Sequence, residues 1–269
     1  MRNRLVLVCT LLALTAGTVL AQDSEPGGIW SSITVEKKIN KKIDVGTEWE
    51  FRTNGLSLER DRIAIQLYGD YEIIKNLKIG ASYTYLNVMD DYRFSIDSIR
   101  LHYQNRHRTH LQLGYKISFD RFDLQFRERA QLTFRDESDR LREDGSINEN
   151  RINPDFLWRN RIKLAYNIKG LPLNPSISAE SYYLFNDPED VKIFDDNGIE
   201  TGTTNSYFSK LRYTLALEYK INKRNSVELF GILSNERGAE EVAVPGPNYY
   251  ELSNWTSDYI LGLSYKLSL

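Results

Sequence analysis

The stretch LRYTLALEYKI, residues 211–221, decides how the rest of the chain is read. Leu211, Tyr213, Leu215, Leu217, Tyr219 and Ile221 stand at every second position, and Arg212, Thr214, Glu218 and Lys220 fill most of the gaps. Successive side chains of a strand point to opposite faces, so this period of two predicts a strand with one apolar and one polar face. A helix would repeat its apolar positions at three and four.

Working outward, the same alternation predicts eleven strands. They are marked in order by Ile29–Ile39, Ile43–Phe51, Ile63–Tyr71, Leu77–Tyr85, Leu111–Ile117, Phe126–Phe134, Trp158–Tyr166, Ile177–Phe185, Leu211–Ile221, Val227–Leu229 and Tyr259–Leu269. Short turns fall near residues 40, 75, 120, 170 and 223, and longer polar loops near 54–61, 88–106, 136–154, 187–205 and 236–254. Short turns on one side and long loops on the other are the pattern of a transmembrane β-barrel with its short turns in the periplasm. Several strands are longer than the five or six residues usual in a soluble sandwich, and a tilted strand needs about 9–11 residues to cross a bilayer. Backbone polar groups in lipid must be paired, so the sheet must close.

The expected fold is therefore all-β: an antiparallel transmembrane barrel of about ten to twelve strands, filling residues 22–269 as one domain. Single-chain bacterial barrels have even strand numbers, so a count of eleven predicts ten or twelve in the wall. Extra alternation at Phe94, Ile96, Leu101 and Tyr103 has no place in that scheme, because a strand there would reverse the sidedness of everything after it.

The first 21 residues read as a signal peptide: Arg2 and Arg4, an apolar run from Leu5 to Leu14, and small residues before Gln22. Cys9, the only cysteine, lies within it, which leaves the exported chain without a thiol or disulfide. Of the 35 basic residues two lie in the leader, so 33 face 37 acidic ones, a net charge of −4. That balance does not suit a nucleic-acid partner.

With apolar faces toward lipid, the polar faces meet in the lumen. These gather Glu48, Glu50, Arg52, Arg127, Arg129, Arg159, Arg161, Lys163, Glu180, Lys210, Arg212, Glu218 and Glu228. Two readings stay open: a salt-bridged network that fills a narrow barrel, or a polar conduit or pocket for an anionic ligand. Barrels of about eight strands are filled by side chains and open channels appear near sixteen, which favours the first. One carboxylate breaks the pattern. Glu128 stands on the apolar side of FRERAQLTFR, residues 126–135, and Asn160 does the same on the next strand. The two are expected to hydrogen-bond on the outer face near the outer interface, where burial of polar groups costs less than at midplane. Gly262, Tyr265, Leu267 and the terminal Leu269 fit the assembly signal of a last barrel strand.

Two alternative functions remain: a hydrolase acting on lipid or peptide, and a binding or adhesion module using the long loops. For the hydrolase, His102, His107 and His110 are clustered, but His107 and His110 face opposite ways on a strand and no nucleophile motif accompanies them. The motif DDNG at 195–198 lacks the further ligands of a calcium loop. No catalytic residue, metal or cofactor is expected.

The stretches GIWSSITVEKKINKKIDVGTEWEFR (28–52), FDLQFRERAQLTFR (122–135), FLWRNRIKLAYNI (156–168), SISAESYYLFN (176–186) and YFSKLRYTLALEYKIN (207–222) resemble an outer-membrane barrel family known chiefly from Bacteroidetes, domain-of-unknown-function family 2490. The resemblance implies a barrel in the bacterial outer membrane and brings no substrate or catalytic residue. The expected partners are outer-membrane lipid, lipopolysaccharide and the barrel-assembly machinery, with the protein a monomer.

Overall fold

The computed structural model describes residues 26–53, 55, 59–95, 98–135, 154–187, 189–194, 198–242 and 249–269. The expected leader, Asp195 to Asn197, and Pro245 to Pro247 lie outside them. Eleven strands form a closed barrel: β1 (Pro26–Lys38), β2 (Ile43–Thr53), β3 (Arg60–Ile74), β4 (Leu77–Ser95), β5 (Ser98–Phe119), β6 (Phe122–Arg135), β7 (Asp155–Tyr166), β8 (Leu173–Leu184), β11 (Tyr207–Lys220), β12 (Asn225–Glu236) and β15 (Thr256–Ser268). Four short strands, β9 (Val191–Phe194), β10 (Glu200–Thr204), β13 (Ala239–Val242) and β14 (Tyr249–Leu252), make a separate sheet in the order β10-β9-β14-β13.

Each alternating segment of the sequence is one strand of the wall, and the expectation of an even number is overturned. With eleven strands, β1 and β15 run in the same direction, so the barrel closes through a parallel ladder, from Gly28 opposite Ile260 to Glu36 opposite Ser268. The other neighbours pair antiparallel. A parallel ladder also satisfies backbone donors and acceptors, so closure does not demand an even count. The extra alternation after residue 90 adds no strand either. It lengthens β4 and β5 into one hairpin that pairs out to Ser95 opposite Ser98.

The short turns are built by their side chains. Asn40 accepts the amide protons of Lys42 and Ile43 at 2.8 and 2.9 Å, and Asn222 does the same for Arg224 and Asn225. Asn76 and Asp120 take positive φ in two further tight turns, a conformation that Asn and Asp tolerate better than most residues.

The barrel's polarity is inverted relative to an ordinary globular core. Leu111 is 62% exposed and Leu229 60%, while Glu180 and His110 are only 8% and 4% exposed. Ala64, Leu86 and Val88 form a small buried apolar cluster. Aromatic rings collect on the outer face toward both ends: Phe119, Phe122 and Tyr166 at the short-turn end, and Phe156, Tyr183, Phe185 and Phe208 at the long-loop end.

Candidate functional site in the charged lumen

The lumen encloses a cavity of about 350 Å³. Alternation on β6 and β7 aims arginines into it, and the register sets them side by side: Arg127 opposite Arg161, and Arg129 opposite Arg159. β8 supplies the counter-charge. Glu180 lies opposite Arg161 on one side and Arg212 of β11 on the other. Its Oε1 receives Nη2 of Arg127 at 2.5 Å and Nη2 of Arg159 at 3.1 Å, and its Oε2 accepts the Tyr182 hydroxyl at 2.9 Å. Arg159 also donates to Gln131 and Tyr182. One buried carboxylate thus orders three neighbouring side chains.

On the facing wall Arg52 and Glu50, two apart on β2, form their own pair at 2.6 Å. The Arg52 guanidinium lies 3.4 Å from the Trp30 ring centre, and Arg212 lies 5.0 Å from the same ring. Trp30 therefore stands among cations inside the lumen, where the face of an indole attracts them. Glu48 and Glu228 line the cavity, and Glu228 pairs there with Lys163 at 3.5 Å. Glu218 does not reach it: it binds the Asn174 amide at 2.9 Å, toward the short turns. Lys210 pairs with Glu236 at 2.5 Å, toward the long loops.

Sequence reasoning missed Trp30, Arg108, His110 and Gln131 as lining residues. His107 and His110 do face opposite ways. His107 is on the outer face with its Nδ1 2.6 Å from the Tyr83 hydroxyl, and His110 is buried in the lumen wall with Nδ1 2.6 Å from Ser82 Oγ. Both ring nitrogens of His110 lie within hydrogen-bond distance of the same Ser82 Oγ, at 2.6 and 3.0 Å, and Arg108, Arg127, Arg129 and Arg159 line the same cavity. The side chain of His102 lies outside the described residues. Among the described residues no group of three or more His, Cys, Asp or Glu is placed to hold a metal.

On the outer face Glu128 and Asn160 are direct cross-strand neighbours. One detail of the expectation changes. The Trp158 indole N–H lies between them, 2.8 Å from the carboxylate and 2.9 Å from the carboxamide oxygen, so the link runs through the indole. Glu128 is the middle residue of the outward row that runs from Phe122 to Phe134. In the last strand Gly262 lies under the Phe230 ring, the Tyr265 hydroxyl donates to Asn225 at 2.5 Å, Leu267 pairs with Val35 and Asn225, and the Leu269 amide donates to Glu36 at 2.8 Å.

Fold and site together define a closed β-barrel with an apolar exterior and a charged, arginine-rich lumen. The model of the family described as "Protein of unknown function (DUF2490)" matches residues 27–242, and the chain belongs to that family. No curated protein matches it. Among solved structures it is similar to the ferric-catecholate import receptor Fiu from E. coli K12 in its closed form, with 8% identity and a TM-score of 0.25. That match covers 91% of this chain and 48% of the receptor, so the chain spans about half the receptor's length, and a likeness this slight carries no functional argument.

Proposed function

We propose that the protein is an outer-membrane β-barrel of structural or narrow-conduit type, without catalytic activity. The observation that supports it is the inverted polarity: a closed wall with leucine, isoleucine and aromatic side chains outside and a charged cavity inside. An exposed apolar surface of this extent belongs against lipid. Strands of 11–15 residues such as β2 and β3 rise far enough, at roughly 2.5 Å per residue when tilted, to cross a hydrocarbon belt of about 25 Å. Its partners on this reading are outer-membrane lipid, lipopolysaccharide and the assembly machinery, and it works as a monomer.

The test is direct. The mature chain should require detergent, migrate differently in gels before and after heating, and give small discrete current steps in planar bilayers. A detergent-free soluble protein without heat-modifiable migration overturns the membrane assignment. A correctly folded barrel without current steps leaves only the structural type.

A second reading draws on the four-stranded sheet that the two long loops build together at one end of the barrel. Phe194 and Tyr249 meet edge to face there, with Lys192 over the tyrosine ring. Such a platform suits a loop-based binding or adhesion module, and its deletion should then abolish partner binding while the barrel stays intact.

A further inference from the structure

Two adjacent rungs of the barrel place cations beside cations. Along the first, Arg127, Arg161, Glu180 and Arg212 are successive partners across β6, β7, β8 and β11. On the second, Arg129 faces Arg159. Like charges directly opposite one another in a sheet repel, and the repulsion is stronger away from bulk water. Glu180 is the only carboxylate on these rungs of β6 to β8, and both its oxygens are engaged.

Three guanidiniums of these rungs remain without a carboxylate contact among the described residues. Arg129 donates to the neutral Gln112 side chain at 2.9 Å. Arg212 rests near the ring faces of Trp30 and Tyr182, at 5.0 and 5.2 Å. Arg161 lies opposite Glu180 in register, yet the Glu180 ion pairs go to Arg127 and Arg159. Around the whole cavity eight Lys and Arg side chains face four Glu. A cleft lined by one sign of charge concentrates ions of the other sign. Its volume of about 350 Å³ is that of a small-molecule site, and arginine forks match the paired oxygens of an oxyanion.

We propose that the lumen holds a binding site for a small multivalent oxyanion of the phosphate class, clamped by Arg129, Arg161 and Arg212. The surplus of cations over carboxylates around the cavity calls for a multivalent ion more than for a monocarboxylate. The site deepens the conduit reading and rests on the lumen being open to water.

The experiment uses the full mature chain folded in detergent micelles, inorganic phosphate as the probe, and chloride at matched ionic strength as the control. Calorimetric titration should show saturable phosphate binding. The pair of substitutions Arg161→Gln and Arg212→Gln should weaken it at least about tenfold, as expected for lost charged hydrogen bonds. Arg161→Lys keeps the charge but not the fork; it should fold as the wild type does and still bind more weakly. Lys41→Gln, at a short turn, should bind as the wild type. Absent binding in the folded wild type, or equal affinity in the wild type and the arginine variants, overturns the site. Bilayer recordings separate this from the conduit: phosphate binding without current supports the site and removes the conduit, whereas current without phosphate binding removes the site and keeps the conduit.

Discussion

Glu128 and Asn160 face each other across β6 and β7 on the outside of the barrel, joined by the indole N–H of Trp158. Every other outward position from Phe122 to Phe134 and from Phe156 to Tyr166 is Leu, Phe, Ala, Trp, Ile or Tyr. On the proposed membrane reading this face meets lipid, where polar side chains stripped of water need each other, and one indole donor serves both acceptors.

Trp158→Phe should therefore cost more than its lost area. With the donor gone, the carboxylate and the carboxamide oxygen are left in an apolar belt, and stability should fall by about 1–3 kcal/mol. Adding Glu128→Leu and Asn160→Leu to that variant should recover most of the loss. Urea unfolding in lipid vesicles measures both; equal stabilities for the single and triple variants would show that the indole bridge holds nothing.

Glu180→Gln should be among the most damaging single changes in the lumen. It leaves Arg127 and Arg159 buried without their shared carboxylate, a loss on the order of 3–5 kcal/mol. Glu50→Gln should cost less, because Glu50 pairs with the single cation Arg52. Comparing the urea midpoints of the two variants decides it, and a larger loss for Glu50→Gln would contradict the shared-carboxylate account.

The parallel seam can be locked. Ser32 and Ser264 are partners across β1 and β15, with their hydroxyl oxygens 2.9 Å apart. Cys9 is the only native cysteine and belongs to the expected leader, so Ser32→Cys with Ser264→Cys should give one disulfide within a clean background. Cα atoms of paired strands lie in the range that a disulfide spans, about 4.4–6.8 Å. The oxidised chain should remain a covalent ring in denaturant and migrate faster in non-reducing gels. If Ser264→Cys instead cross-links efficiently to Trp30→Cys or Thr34→Cys, the register of the seam is slipped.

Gly262→Ala should disturb the last strand. Phe230 is its direct cross-strand partner, and a Cβ at position 262 would overlap the Phe230 ring. Overpacking of this kind costs about 1–3 kcal/mol. Phe230→Leu in the same chain should relieve most of it. The thermal midpoint of heat-modifiable migration reports the effect, and additive losses in the double variant would dissociate the ring from the glycine.

The strands were legible because the pleat imposes a period of two on any sheet with unlike faces. LRYTLALEYKI shows this within one turn-to-turn segment, and so do the ten others. The luminal arginines were legible for the same reason. Arg108 and His110 were not, because their outward neighbours Thr109, His107 and Asn105 are polar and the alternation loses its contrast. The loop sheet escaped too: β9, β10, β13 and β14 have four or five residues each, too few to carry a pattern, and their two local hairpins join through the pairing of Tyr250 with Val191 between distant loops.

By itself, then, the sequence determined the facing of side chains wherever apolar and polar residues alternate with contrast, since each strand's pleat settles that locally. Which strand closes the ring, which arginine meets which carboxylate, and that the Trp158 indole links Glu128 to Asn160 were decided by the tertiary structure alone. Those depend on register around a closed ring. Closure joins Ser32 to Ser264 across 232 positions of chain and brings Glu180 between Arg161 and Arg212, and no local pattern encodes that alignment.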